Sequence, residues 1–120
     1  MLKLVYCITR RADLTPQAFN EYWRDIHGPL GAQIPGLRRL VQSPMVRDPR
    51  DAHPPAFDGL AELWFDDWAS LLAARQSPEW QRSSADEPNF IDHKKVFVCE
   101  EREIAIPQPL KSSRWQERPE

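Results

Sequence analysis

Thr15-Pro16-Gln17-Ala18-Phe19-Asn20-Glu21-Tyr22-Trp23-Arg24-Asp25-Ile26-His27-Gly28-Pro29-Leu30 is the stretch on which the fold turns. Thr15 is suited to cap a helix, and Pro16 takes the first turn, where its missing N–H costs nothing. The capping box is incomplete, because Ala18 stands where Glu would help. Phe19, Tyr22, Trp23, Ile26 and Leu30 recur at helical spacing, with Asn20, Glu21, Arg24 and Asp25 on the other side. The segment therefore reads as an amphipathic helix packed on a sheet. Gly28-Pro29 should bend or interrupt it, and Pro35-Gly36 should end what continues.

Moving outward, Met1 to Thr9 is apolar at nearly every position except Lys3 and reads as a central strand. Leu37 to Met45 carries a weaker strand pattern, suited to an edge. Val46 to Ala56, with Asp48-Pro49 and His53-Pro54-Pro55, reads as loop. In the third strand, Phe57 to Phe65, Leu60, Glu62 and Trp64 point one way and Ala61, Leu63 and Phe65 the other. Asp66 or Asp67 caps a second helix bearing Trp68, Leu71 and Leu72, and Ser77-Pro78 restarts a short one. Lys94 to Ile106 supplies the fourth strand. The order is β-α-β-β-α-β, a ferredoxin-like α+β fold. Residues 1–106 form the expected domain. Residues 107–120, with Trp115 as their one aromatic group, form a surface or disordered tail unless Trp115 docks on a partner subunit.

The chain has 120 residues, enough for one core. Its 16 basic and 18 acidic side chains give a net charge of −2 with no single-sign field, so nucleic acid is not an expected partner. Apolar runs fall far short of the ~20 residues needed to cross a membrane, and the N-terminus does not read as a signal peptide. Cys7 and Cys99 lack metal or redox spacing and read as small core residues in a reducing cytoplasm. With only 4 glycines, two of them beside proline, no phosphate-cradling loop or nucleotide motif is present, and no cofactor is expected.

The run Phe19-x-x-Tyr22-Trp23-x-x-x-His27-x-Pro29-Leu30 resembles the signature of EthD-like proteins. Ile34 to Arg39, Asp58 to Phe65 and Asn89 to Glu101 continue the resemblance, which covers roughly residues 2–104. It implies a dimeric α/β barrel in which two four-stranded sheets pack face to face, each subunit keeping a pocket between sheet and helices. The family's relatives include lactone isomerases, fungal polyketide dehydratases and decarboxylases, and a protein associated with ether degradation, so fold alone does not name a substrate.

His27 borders the apolar helix stripe and is the principal candidate for moving a proton, since imidazole titrates near neutrality. Its plainer alternative is a hydrogen bond to a backbone carbonyl that fixes the helix end. His53 precedes the third strand in a proline-bracketed loop and is the second catalytic candidate, because the resemblance implies a histidine there in lactone isomerases; otherwise it is a solvated loop residue. His93, beside Asp92, ranks third and is placed with the substrate-binding residues. No histidine pair has helical metal-ligand spacing, so no metal site is expected. Tyr6, Tyr22, Trp23, Trp64, Trp80 and Phe90 are core aromatics, some of which line the cavity. Tyr6 or Tyr22 is suited to donate a hydrogen bond to a ligand oxygen.

The leading expectation is a homodimeric, cofactor-free enzyme that isomerises, dehydrates or decarboxylates a small aromatic or lactone-type metabolite. A non-catalytic protein that sequesters a hydrophobic ligand, and a cofactor-independent monooxygenase, are the alternatives.

Overall fold

The structure, a computed structural model, describes residues 1–108, so the tail and Trp115 lie outside the described residues. Four strands, β1 (Leu2–Arg10), β2 (Arg39–Pro44), β3 (Gly59–Phe65) and β4 (Ile91–Glu100), form one antiparallel sheet in the order β2-β3-β1-β4. The apolar first strand is thus central, and the ferredoxin-like order read from the sequence is the observed one.

The fourth strand begins and ends earlier than its sequence pattern suggests. A register shift between Thr9 and Arg10 lets the sheet pick up Ile91 opposite Arg10, and the charged run Asp92 to Lys95 fits because β4 is an edge. It stops at Glu100 because its partner β1 runs out at Leu2, leaving residues 101–106 nothing to pair with. Cys99 is consequently exposed on this edge, not a core residue, whereas Cys7 is buried.

The helices lie on one face. Thr15 Oγ1 accepts from Ala18 N at 3.1 Å and opens α1 (Pro16–Tyr22). A wider π-helical turn follows over Trp23–His27, and then the short α2 (Gly28–Gly31). Asp67, whose carboxylate accepts from Ser70 N at 2.8 Å, caps α3 (Trp68–Arg75), and Ser77 caps α4 (Pro78–Asp86). A single 3₁₀ turn, Glu87–Asn89, leads into β4. In α3 only Leu71 and Ala74 turn into the core; Trp68 and Leu72, expected on the apolar side, lie about half exposed on its flanks.

Two apolar clusters fill the space between helices and sheet. Leu4, Leu63 and Phe65 meet Ile34, Leu71 and Ala74 in one, and Ile8 meets Phe19, Trp23, Phe90 and Ile91 in the other. Trp23 joins helix to sheet by lying flat over Gly59, where an added Cβ would sit 2.6 Å from two ring carbons. That ring is only 2 % exposed and has nowhere to move. Gly59→Ala is therefore expected to destabilise the fold by about 1–3 kcal/mol, seen as a lower denaturant midpoint at unchanged slope. An unchanged midpoint would show that this contact is loose.

Candidate functional site

Strand alternation sends Tyr6, Ile8, Ala61, Leu63, Leu40 and Gln42 to the helix side of the sheet. Between the two clusters the helices do not close on this floor. They leave a mostly apolar cavity of about 50 Å³, bounded above by Trp23, His27, Gly31, Trp80 and Phe90. Few polar groups in an apolar concavity is the usual make-up of a small-molecule site.

The π-helical turn sets the direction of His27. Pro29 has no N–H to continue the ladder, and the chain accommodates it with one extra residue in the turn, Gly28 N bonding back to Trp23 O. That carbonyl also accepts from Gln42 Nε2 at 2.9 Å, which ties the turn to β2. A Cβ at Gly28 would come within 3.1 Å of Gln42 Nε2 and 3.2 Å of Trp23 O, so a side chain there requires this bond to give by a few tenths of an ångström. The widened turn brings His27 inward and leaves Ile26, expected on the buried stripe, 50 % exposed.

Among the described residues, His27 bonds a carboxylate and not a backbone carbonyl. Its Nδ1 lies 2.9 Å from Asp86 Oδ2, with the side chains 15 % and 10 % exposed, and its ring packs on Phe90 at 4.7 Å between centroids. The other carboxylate oxygen, Oδ1, accepts from Tyr22 OH at 2.5 Å and from Asn89 Nδ2 at 3.0 Å. Burial is the largest single influence on Asp86 and pushes its pKa up. The hydrogen bonds from Tyr22, Asn89 and His27 together outweigh it and hold the carboxyl below its usual range. The same hydrogen bond, with some burial, raises the Tyr22 phenol. On the cavity floor, burial pushes the Tyr6 phenol up to about 12, so it stays a neutral donor. Glu87 lies at the cavity wall with its carboxylate 2.5 Å from Lys94 Nζ.

Of the residues singled out in the sequence, His27, Tyr6, Trp23, Trp80 and Phe90 meet at this cavity, and Tyr22 stands behind His27 on the far side of Asp86. Three do not come to it. His53 is 88 % exposed, because its proline-rich loop carries it into solvent beside Asp51. His93 lies on edge strand β4 opposite Thr9, on the sheet face away from the helices, 3.5 Å from Asp92. Trp64 shares that far face, where Glu101 accepts from its Nε1 at 3.0 Å and the Arg39 guanidinium lies 4.5 Å from the ring centroid. Asp86, Asn89 and Gln42 were missed. The one trace of Asp86 is local: a carboxylate closing α4 opposes the helix dipole, a mismatch that marks a residue retained for another reason. Among the described residues, no three His, Cys, Asp or Glu side chains are grouped to hold a metal ion.

The EthD domain family model matches residues 11–94. The chain belongs to the EthD family. It is 34% identical over 92 residues to an uncharacterized 11.0 kDa protein from the thcB–thcC intergenic region of Rhodococcus erythropolis, covering 77% of this chain and 87% of that one. An EthD family protein from Bacillus halodurans, of known crystal structure, superposes with a TM-score of 0.73 at 30% identity, over 85% of this chain and 99% of the other. Two more distant structures share the fold alone. A dimeric ferredoxin-like protein from Thermobifida fusca has a TM-score of 0.65 at 14% identity, covering 83% and 90% of the two chains. SnoaB, a cofactor-independent oxygenase from Streptomyces nogalater, has a TM-score of 0.60 at 14% identity, covering 86% and 94%. No helix among the described residues is long and apolar enough to cross a membrane.

Proposed function

We propose that this EthD protein is a homodimeric, cofactor-free enzyme that isomerises, dehydrates or decarboxylates a small aromatic or lactone-type metabolite by moving a proton through His27. One observation carries the reading: an imidazole held by a carboxylate at 2.9 Å borders an apolar cavity, the arrangement that general acid/base chemistry needs. Trp23, Trp80 and Phe90 offer aromatic walls to a flat ligand. Tyr6 offers a hydrogen bond to a ligand oxygen, whereas Tyr22 is committed to Asp86. His53, His93 and Trp64, all remote from the cavity, have no part in this scheme.

Filling the cavity tests the site. Ala61 lies on its floor, and Ala61→Phe is expected to abolish the tryptophan fluorescence change produced by aromatic lactones and ketones bound by the wild type. Undiminished binding in a folded variant would move the ligand site elsewhere. The likeness to SnoaB supports a second reading, oxygenation of a quinol-like compound within the same walls. Oxygen uptake with hydroquinones separates the two.

A further inference from the structure

We infer that Asp86 locks His27 in the tautomer whose free Nε2 serves the cavity, so that the resting enzyme is a base and its substrate is a carbon or oxygen acid, such as an enolisable carbonyl compound. The inference rests on the acid/base reading and narrows its substrate class.

The polarity of the hydrogen bonds carries the argument. Tyr22 OH and Asn89 Nδ2 both donate to Asp86 Oδ1, which occupies that oxygen with two donors. An ionised carboxylate only accepts, so Oδ2 demands a proton from its own neighbour, Nδ1 of His27, at 2.9 Å. A neutral imidazole carries one proton. With that proton on Nδ1, Nε2 is left with its lone pair, on a ring that lines the cavity. The depressed carboxyl pKa agrees, since Asp86 stays ionised through the neutral range. Asp86 is then a positioning residue acting through His27, and Tyr22 and Asn89 fix the direction of the chain of donors.

A base at rest selects its chemistry. Nε2 takes a proton from a carbon next to a carbonyl; the C–H electron pair becomes a C=C bond, and the carbonyl pair moves onto oxygen as an enolate. Tyr6, kept protonated by burial, donates a hydrogen bond to that oxygen without giving up its proton. Where the substrate carries a second C=C conjugated with that enolate, the imidazolium, now paired with Asp86, returns the proton to the far carbon of the dienolate; the oxygen pair re-forms C=O, the C=C shifts into conjugation with it, and the neutral ring is restored. Chemistry that begins by protonating a leaving group finds no proton on Nε2 of the neutral histidine.

The tautomer is read directly by correlating the ring nitrogens and carbon-bound protons of His27 in ¹⁵N-labelled protein above the imidazole titration, assigned by loss of its signals in His27→Gln. The expected result is a protonated Nδ1 and an unprotonated Nε2 in the wild type. In Asp86→Asn, Nε2–H should gain at the expense of Nδ1–H, with proton abstraction falling roughly a hundred- to ten-thousand-fold. A wild-type ring protonated at Nε2 would overturn the inference, as would an Asp86→Asn ring still wholly in the Nδ1–H form. If Asp86→Asn does not fold, the wild-type spectrum alone decides. Because no substrate is involved, the expected tautomer without any turnover would count against the enzyme reading and leave the lock standing.

Discussion

His27→Ala is expected to lower turnover by about a hundred- to ten-thousand-fold while costing only about 1–3 kcal/mol of stability. The two effects separate because His27 has two attachments of different kinds. Its stabilising role is one charge-assisted hydrogen bond to Asp86 and packing over Phe90. Removing the ring leaves Asp86 with two donors, Tyr22 and Asn89, so the carboxylate is not abandoned without partners. Its chemical role has no substitute at the cavity: Tyr6 holds its proton too tightly to exchange it near neutral pH, and Glu87 is engaged by Lys94. Steady-state rates beside denaturant midpoints check this. A variant that keeps more than half its turnover yet unfolds at a clearly lower denaturant concentration would make His27 a structural clamp.

Phe97→Asp is expected to convert a dimer into a monomer, weakening self-association by about a hundredfold or more. The sheet face away from the helices carries the row Val41, Glu62, Val5 and Phe97 across its four strands, with Leu60 and Cys7 in the next row. Phe97 is 53 % exposed in the single chain, and Lys3 neutralises Glu62 at 3.0 Å. The apolar centre of this face is bordered by Arg39, Ser43, Lys95 and His93, and a contiguous exposed apolar patch of a few hundred Å² is near the limit a monomer tolerates. Packing against a second copy would cover it. An unpaired carboxylate buried there costs several kcal/mol, and each 1.4 kcal/mol is a factor of ten in dissociation constant. Light scattering and sedimentation at micromolar concentration give the answer. A monomeric wild type would remove the dimer, and a variant that still associates would place the interface elsewhere.

The fold was legible because local signals agreed with one another. Thr15-Pro16 and Ser77-Pro78 mark helix starts by cap chemistry alone, and the alternation from Leu60 to Phe65 assigns each side chain to its face. Errors arose where tertiary context decides. The extent of β4 depends on how far β1 runs beside it, which no feature of residues 91–106 encodes. Ile26 and His27 change places because Pro29 widens the preceding turn, an effect that regular helical spacing does not contain. At the site, the motif around His27 pointed to the imidazole that lines the cavity. Its partner Asp86 lies 59 residues away at the end of another helix, and their meeting is a product of how α4 crosses the sheet. His53 shows the converse: a histidine in a suggestive place in the chain, with no scaffold to aim it.

Solvent-deuterium exchange tests the central claim most directly. A panel of enolisable lactones and aromatic ketones is incubated in D₂O with the wild type, His27→Ala and Ala61→Phe, and label at the position next to the carbonyl is followed by NMR. The expected result is at least one compound that the wild type labels a hundredfold or more faster than either variant. A compound that binds in the cavity, is displaced by Ala61→Phe and yet acquires no label would make the protein a carrier, and labelling undiminished in His27→Ala would assign the proton to another residue.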